Sequence, residues 1–241
     1  MRLLDISFSE PAENLAFDEV LLNGAESGRS DETLRFWESP ELFVVLGLGQ
    51  ARREEVLLDA CAKDGVPVMR RCTAGGCVVQ GPGCLNFTLV LKYDNHPELR
   101  SICGSYTHIL GLLAAAFDRA GLAVVHEGAN DLAIDVRKVS GNAQRRLKRA
   151  ILHQGTLLYG LDPGLMAKYL REPGKRPAYR AERSHTDFVG HLPMDAAQLR
   201  RVASKAFAAP SEVEPPETWE VDAARDLARE KYATAAWRNR R

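Results

Sequence analysis

The sequence has no excess of charge of either sign. It contains 32 lysine and arginine residues against 32 aspartate and glutamate residues, so its formal net charge is zero. Proteins that hold nucleic acid through its phosphates usually carry a strong basic field. The balance therefore argues against a nucleic-acid partner, while leaving room for local basic patches.

Long hydrophobic runs are also missing. No apolar stretch approaches the ~20 residues that a membrane-spanning helix requires. The N-terminal segment, MRLLDISFSE, lacks the charged and apolar blocks of a signal peptide. We therefore predict a cytoplasmic protein with no membrane partner.

Cysteine is scarce and irregularly placed. The five cysteines include no C-x-x-C pair, and their odd number indicates reduced thiols rather than a disulfide framework. Cys72, Cys77 and Cys84 have irregular spacing and no histidine nearby, which argues against a zinc site.

Hydrophobic periodicity predicts an α+β fold with a central mixed β-sheet flanked by helices, because strands and hairpins are interspersed with helices without strict β-α-β alternation. Residues 1–209 are expected to form the main domain, and residues 210–241 a linker and a C-terminal helix packed on that domain. The predicted helices cover 12–23 (ended by Gly24), 52–63, 101–119 and 219–232, the last with Trp219, Ala223, Leu227 and Tyr232 facing inward. The predicted strands lie within 33–38, 42–47, 67–71, 78–93 (interrupted at 81–83), 122–127, 131–136, 139–144 and 151–160.

Polar residues are concentrated in three strand-like segments, 70–86, 130–144 and 153–156. Buried polar groups cost free energy unless they are paired, so the concentration requires an internal network or a ligand. Gly75 and Gly76 let backbone amides approach an anionic oxygen, and an arginine beside them can hold a carboxylate or phosphate. A glycine hairpin with solvated arginines is the alternative.

Lys138 follows a predicted strand and can present a compact positive charge to a phosphate or carboxylate. A solvated turn is the bland alternative at that position. Asp131 can bind a metal, pair with Lys138, or cap a turn. His153 is expected more often as a hydrogen-bonded core histidine than as a catalytic base.

Four motifs follow one another along the chain: R-R-x-T-x-G-G-x-V at 70–78, N-D-L at 130–132, K-V-S-G-N-A-Q at 138–144 and L-H-Q-G-T-L-L at 152–158. Together they resemble the lipoate-protein ligase A family, which has the biotin and lipoate protein ligase catalytic fold. The segment 13–19 and the turn 45–50 are similar to that family as well, so the resemblance runs from about residue 10 to at least residue 190.

The resemblance implies a ligase that uses ATP and Mg²⁺ to convert lipoic acid or octanoate into an acyl-adenylate. It also implies that the acyl group then passes to a lysine of a lipoyl domain. Lys138 is implied to be the catalytic residue that stabilises charge on the α-phosphate, and Asp131 to be a metal ligand. The implied substrate and ATP-binding residues are Arg70, Arg71, Thr73, Gly75, Gly76, Asn130, Asp131, Ser140, Gly141, His153 and Thr156, with Val78, Leu85 and Phe87 as candidates for an apolar acyl tunnel.

The implied partners are a lipoyl-domain acceptor protein and a separate accessory ligase subunit, since some relatives carry a fused accessory domain and others receive it as a second chain. A basic cluster, 145–149, is a candidate docking surface for an acidic acceptor, or simply a solvated edge. The chain also departs from the family pattern, which leaves the substrate open. The departures are at Ala74, Gln80, Cys84 and Ala129.

Two other functions remain open. An ATP-independent octanoyl or lipoyl transferase would use a cysteine nucleophile, yet the loop before Lys138 has no cysteine and none follows Cys103. A non-catalytic acyl-binding relative would explain Gln80 and Ala129, but it would have no need for Lys138.

Overall fold

The computed structural model describes residues 1–174 and 176–240. Ten strands lie at β1 (Arg2–Asp5), β2 (Thr33–Trp37), β3 (Phe43–Leu46), β4 (Val68–Arg70), β5 (Val78–Gln80), β6 (Cys84–Lys92), β7 (Val125–Glu127), β8 (Asp131–Ile134), β9 (Arg137–Arg146) and β10 (Ala150–Leu158). The α-helices lie at α1 (Pro11–Ser27), α2 (Arg52–Glu55), α3 (Leu58–Lys63), α4 (Ile102–Arg119), α5 (Gly164–Tyr169), α6 (His185–Phe188), α7 (Ala196–Ala206), α8 (Thr218–Leu227) and α9 (Ala235–Asn239).

Seven of the strands form the central sheet, in the order β1-β2-β6-β10-β9-β8-β7. Strands β1 and β2 run parallel and the other neighbours run antiparallel, so the sheet is mixed. A second, smaller sheet has the order β4-β3-β5. The predicted α+β architecture with a central mixed sheet flanked by helices is confirmed.

Each face of the central sheet is covered by helices. The side chains of Leu85, Phe87 and Leu89 on β6 pack in one apolar cluster with residues of α4 and α7. The alternate residue Val90 packs in a second cluster with α1 and α8. This two-residue alternation is what a strand covered on both faces requires.

Helix α1 is longer and more deeply buried than its sequence predicts. It continues past Gly24 and ends at Gly28, which has the left-handed backbone (φ 76°) that suits glycine. The predicted end at Gly24 is wrong because this glycine serves a close contact, since a Cβ there would lie 2.3 Å from the Ser30 hydroxyl oxygen.

Three further elements differ from the prediction. The predicted helix 52–63 is two short helices, because Val56 and Leu57 pair with the chain at residues 169–170. Strand β1 was not predicted, since four residues are too few to display a period. The predicted final helix, 219–232, is α-helical only as far as Leu227. It then forms one π-helical turn over Ala228–Tyr232, and a further helix, α9, follows.

The C-terminal segment lies against α1. Tyr232 is fully buried, and its hydroxyl donates to the Glu19 carboxylate at 2.6 Å. Lys231 and Arg145 also contact that carboxylate, at 2.6 Å and 2.7 Å. Burial tends to raise the pKa of Glu19, but the hydrogen bonds from Lys231 and Tyr232 outweigh it, so the pKa lies below its usual value.

Candidate active site

A cleft of about 110 Å³ lies where the small sheet and α1 meet one face of the central sheet. Its walls come from six strands, from α1 and from the loop between β4 and β5. Six of the predicted site residues contribute to the lining: Arg71, Gly76, Asn130, Lys138, Gly141 and Thr156. Segments far apart in the sequence therefore converge on one cavity.

Lys138 lies in the cleft and is paired with Asp131. This pairing is one of the roles that the sequence left open for Asp131. The Lys138 ammonium is 2.7 Å from one oxygen of the Asp131 carboxylate. The other carboxylate oxygen accepts a hydrogen bond of 2.8 Å from the Tyr179 hydroxyl, whose pKa is raised by burial and by Asp131. Tyr179 was not predicted as a site residue, since nothing in the local sequence 171–180 marks it.

The backbone under Lys138 is shaped to let the side chain turn into the cleft. The pairing of β8 and β9 shifts register between Leu132 and Ala133, which leaves Val139 as a bulge on β9 next to Lys138. A Cβ at Gly141 would lie 2.9 Å from the Lys138 ammonium nitrogen. Glycine at position 141 therefore gives the lysine its path across the strand.

The loop after β4 is braced by Arg71. Its guanidinium donates to the Thr73 hydroxyl at 2.9 Å and to the carbonyl oxygens of Ala74 and Gly76, at 2.6 Å and 2.9 Å. Burial lowers the pKa of Arg71 to about 10, so the side chain remains charged at neutral pH. Gly75 has φ 91°, which favours glycine, and a Cβ there would lie 2.9 Å from the Arg71 guanidinium.

Arg70, predicted beside the substrate, does not line the cleft. It is fully buried and donates to the carbonyl oxygens of Gly47 and Gln50, both at 2.8 Å, and to those of Trp237 and Arg238, both at 3.2 Å. Arg70 ends β4 and Arg71 follows it; because successive residues of an extended chain point to opposite sides, only Arg71 of the pair lines the cleft. Arg70 instead joins the turn after β3 to the last helix.

His153 and Ser140 are likewise on the far face of the central sheet. His153 is fully buried between the Gln144 and Asn142 side chains, at 3.0 Å and 3.1 Å. Burial lowers its pKa to about 3, so the ring is neutral at physiological pH. The substrate-binding role that the family resemblance implied for His153 is therefore wrong, and His153 is the hydrogen-bonded core histidine that its residue type favoured. Ser140 is fully buried beside Asn142 and does not line the cleft.

A polar network that includes Asp18 and Gln154, neither of which was predicted as a site residue, forms one wall of the cleft. The fully buried Asp18 carboxylate is 2.6 Å from the Arg35 guanidinium and accepts from the Gln154 amide at 2.6 Å. The Gln154 carbonyl oxygen in turn accepts from the Thr73 hydroxyl at 2.8 Å, which connects α1 with the loop after β4. The available signal was a pair of charged residues, at 18 and 19, in the middle of the otherwise apolar segment 15–22 of α1.

Of the three residues predicted for an apolar acyl tunnel, two line the cleft and one does not. Val78 and Phe87 line the cleft, whereas Leu85 belongs to the core under α4 and α7. The Phe87 ring reaches the cleft past Gly155, where a Cβ would lie 2.2 Å from the ring.

The thiols near the cleft are not acidified. Cys77 lines the cleft, and burial raises its pKa to about 12 despite the nearby Arg71. Burial likewise raises the pKa of Cys84 to about 12 and that of Cys72 to about 11. These three side chains therefore lack the property that makes a cysteine nucleophilic at neutral pH.

Two of the four basic residues in the predicted docking cluster contact other groups of the same chain. Arg145 pairs with Glu19, and Arg146 donates to the Ser105 hydroxyl and to the carbonyl oxygen of Leu99. Lys148 and Arg149 are exposed.

Among the described residues, no helix has the length and apolar character to cross a membrane.

Comparison with known proteins identifies the family. The model of the lipoyl protein ligase A/B catalytic domain matches residues 10–207. The chain is 28% identical to octanoyltransferase LipM of Brevibacillus brevis, over 96% of this chain and 95% of that protein. It is 31% identical to a probable lipoate-protein ligase A of Mycoplasma pneumoniae, over 66% of this chain and 46% of that protein.

A solved structure extends the similarity over the whole fold. The structure of a bipartite lipoate protein ligase and its E2 lipoyl domain from Thermoplasma acidophilum aligns with a TM-score of 0.85 and 25% identity, over 100% of this chain and 97% of that one. The described fold and the match over residues 10–207 agree. The chain belongs to the lipoyl protein ligase A/B catalytic-domain family.

Proposed function

We propose that this enzyme is an ATP-dependent lipoate-protein ligase. In the first step, the carboxylate of lipoic acid or octanoate attacks the α-phosphorus of ATP, which gives acyl-AMP and pyrophosphate. In the second step, the ε-amine of a lysine on a lipoyl domain attacks the acyl carbonyl, and AMP leaves. The amine proton is released to solvent.

The position of Lys138 is the observation that carries this proposal. Its ammonium lies in the cleft beside Asn130 and Gly141 and is held by Asp131. Negative charge grows on the α-phosphate oxygens as the acyl–oxygen–phosphorus bond forms, and a preorganised cation lowers the energy of that state. The charged Arg71 and Gly76 of the loop that it braces also line the cleft and suit a second anionic group.

Mg²⁺ is implied by this chemistry, and the described residues fit an ion held mainly by phosphate oxygens. They contain no group of three or more histidine, cysteine, aspartate or glutamate side chains arranged as a metal site. Mg²⁺ at nucleotides commonly needs only one or two protein carboxylates. Asp131 is the carboxylate that would hold it, and the ion would neutralise charge on the phosphates.

ATP-independent octanoyl or lipoyl transfer is the second candidate. The similarity to an octanoyltransferase and the place of Cys77 in the cleft favour it. A thiol with a pKa of about 12 is ionised only to about one part in 10⁵ at pH 7. Adenylate chemistry does not need a thiolate, which is why we prefer the ligase.

The test is mass spectrometry of a lipoyl domain incubated with the protein and lipoic acid, with and without ATP and Mg²⁺. We expect a lipoyl mass gain only with ATP, accompanied by lipoyl-AMP. Lys138→Ala should abolish lipoyl-AMP, whereas Lys63→Ala, a change at an exposed lysine of α3, should not. Adenylate formation by Lys138→Ala at the parent rate would refute the assigned role.

Cys77→Ser separates the two candidates. The ligase mechanism predicts that the variant retains ATP-dependent transfer, while the transferase mechanism predicts that it loses transfer from an octanoylated donor domain. Transfer from such a donor without ATP, lost in Cys77→Ser, would overturn the ligase.

An accessory subunit is part of the proposal. The relative from Thermoplasma acidophilum is a bipartite ligase, and this chain is proposed to work with a comparable second protein. Lipoyl-AMP formation without transfer to the lipoyl domain is the expected behaviour of the chain alone if that subunit is required for the second step.

A further inference from the structure

A tyrosine outside the cleft reaches the ion pair that Lys138 forms with Asp131. The Tyr179 hydroxyl donates to one oxygen of the Asp131 carboxylate at 2.8 Å, and the other oxygen is 2.7 Å from the Lys138 ammonium. Lys138 lines the cleft, whereas Tyr179 is not among the residues that line it. A substrate in the cleft thus meets Lys138, and Tyr179 can act on it only through Asp131.

The two contacts together fix the orientation of the Asp131 carboxylate. Its backbone is held by the sheet, because Asp131 on β8 pairs with Gly141 on β9. The carboxylate can still turn about its side-chain bonds, and a contact at one oxygen alone does not define that turn. Tyr179 holds the second oxygen, so the first oxygen points in a single direction. The Asp131 side chain is only 7% exposed, which makes water a poor substitute for the hydroxyl.

The position of the Lys138 ammonium depends on that orientation. A lysine ammonium is carried on a flexible four-carbon stem, so the groups that it contacts decide where it lies. Within the described part of the chain, Asp131 is the carboxylate that pairs with Lys138. A displacement of about 1 Å can lower the rate of a catalysed reaction about 100-fold, so the direction of one carboxylate matters to the chemistry in the cleft.

The chain around Tyr179 is fastened on both sides of Lys138. The Arg183 guanidinium donates to the carbonyl oxygens of Tyr179 and Val136, the latter at 2.9 Å. The Gly190 amide donates to the Lys138 carbonyl oxygen at 2.8 Å. The tyrosine is therefore held to the same stretch of backbone that carries the lysine.

The Tyr179 ring is packed independently of its hydroxyl. It lies against the Phe188 ring, with the ring centroids 5.1 Å apart. The backbone at Gly128 approaches it as well, since a Cβ there would lie 3.5 Å from the Tyr179 ring. These contacts involve ring carbons, so removal of the hydroxyl alone leaves them in place.

We propose that Tyr179 is a positioning residue, which holds the Lys138 ammonium in place through the Asp131 carboxylate. The catalytic consequence rests on the proposed function, in which Lys138 stabilises charge on the α-phosphate. Tyr179 itself contacts neither the acid nor the nucleotide. The arrangement is a property of the protein without substrate, so it can be measured separately from the reaction.

Tyr179→Phe removes the hydroxyl and keeps the ring. Exchange of labelled pyrophosphate into ATP, with lipoic acid present, should show a kcat about 10- to 100-fold lower and a KM for lipoic acid changed by less than about 2-fold. The acid still meets the same cleft, while the cation that stabilises the reacting phosphate is no longer held in place. A kcat equal to that of the parent, or a raised KM as the sole change, would overturn the inference.

Tyr169→Phe is the matched control. The Tyr169 hydroxyl donates to the Asp64 carboxylate at 2.9 Å, and Asp64 pairs with Lys168 at 2.6 Å, so the chain carries a second tyrosine–aspartate–lysine set away from the cleft. This variant should keep the kcat and the KM of the parent. An equal loss of kcat in Tyr169→Phe and Tyr179→Phe would refute a specific role for Tyr179.

A double variant tests the route through Asp131. Asp131→Asn removes the ion pair with Lys138, so Tyr179→Phe added to it should lower kcat by less than about 2-fold more. A further loss as large as the one that Tyr179→Phe causes in the parent would show that Tyr179 acts independently of Asp131, against the inference.

NMR spectroscopy of the free protein separates this inference from the proposed function. The Lys138 ammonium signal of ¹⁵N-lysine-labelled protein, identified by its absence from Lys138→Ala, should shift or broaden in Tyr179→Phe and stay unchanged in Tyr169→Phe. A parent that forms no acyl-AMP but shows this dependence supports the positioning and refutes the ligase function. A parent that forms acyl-AMP, with the same kcat and the same Lys138 signal in Tyr179→Phe, keeps the ligase function and overturns the positioning.

Discussion

Replacing Asp18 by asparagine tests the buried polar network directly. Asp18 and Arg35 both have fully buried side chains, and their charged groups are 2.6 Å apart. The Arg35 guanidinium also donates to the carbonyl oxygens of Asn14 and Ile6, so it cannot rotate out to water without breaking those bonds. Asp18→Asn therefore leaves a buried guanidinium without its counterion.

The cost of breaking one side of a buried ion pair is about 3–5 kcal/mol. For a chain of this size, each kcal/mol lowers Tm by roughly 2–4 °C, so the variant should melt roughly 6–20 °C below the parent. Guanidinium chloride unfolding of Asp18→Asn, Arg35→Met and the double variant measures the pair. We expect the double variant to lose less than the sum of the single losses, by at least about 1 kcal/mol.

Asp222→Asn is the matched control, since Asp222 is exposed on α8. It should change the free energy of unfolding by no more than about 0.5 kcal/mol. Losses below about 1 kcal/mol in both single variants, or strict additivity in the double variant, would refute the view that Asp18 and Arg35 stabilise the fold as a pair.

The remaining predictions concern buried ionisable groups. Since the pKa of Glu19 is lowered by Lys231 and its neighbours against the effect of burial, its stabilisation is present above pH ~4.5 and is lost as pH falls through the lower folded value. Urea unfolding of Glu19→Gln should thus show a loss of about 1–3 kcal/mol at pH 7 and a smaller one at pH 3.5, and equal losses would contradict this. Burial holds the pKa of His153 at about 3, so between pH ~6.5 and 3 only the unfolded chain binds a proton at this residue. As the pH is lowered through this range, the free energy of unfolding of the parent should fall by up to about 1.4 kcal/mol per pH unit more than that of His153→Gln. Parallel pH profiles of unfolding for the two proteins would rule this out. Arg70→Met should cost about 3 kcal/mol or more and speed limited proteolysis near residue 237, and unchanged cleavage there would show that Arg70 does not fasten the last helix.

The motifs located the cleft because each of them is a continuous segment that contributes at least one residue to its lining. Lys138, Asn130, Gly141 and Thr156 all lie on its walls, as the order of the motifs predicted. The mixed sheet was also predictable, since the pattern of strands and helices excluded strict β-α-β units. The motifs marked residue types, however, and gave no information on which face of a strand each one occupies.

Alternation along strands explains the misplaced residues. Arg71 directly follows Arg70, the last residue of β4, and Gln154 follows His153 on β10, yet only the second of each pair lines the cleft. A sequence motif does not distinguish the faces of two neighbouring residues, so both arginines were predicted to contact the ligand, and His153 was predicted in place of Gln154. Sequence alone could have separated them only with knowledge of which face was covered by helices.

The missed residues belong to strands that are adjacent in space and distant in sequence. Trp37 pairs with Asn86 and Arg35 with Thr88, across about 50 residues of chain in each case. No local pattern links these positions. The only sequence signal was the presence of polar residues within apolar strands. That signal could be interpreted only after the strand register showed that these residues are adjacent.

The Arg70 contacts make α9 an unfavourable place to attach a fusion partner. One guanidinium connects the carbonyl oxygens at Trp237 and Arg238 with the turn at Gly47, and the next residue, Arg71, braces the loop over the cleft. A tag or an immobilising linker that pulls on this helix would therefore strain the loop. Met1 is exposed at the outer edge of the central sheet, so the N-terminal side is the better attachment point for biosensors or affinity supports.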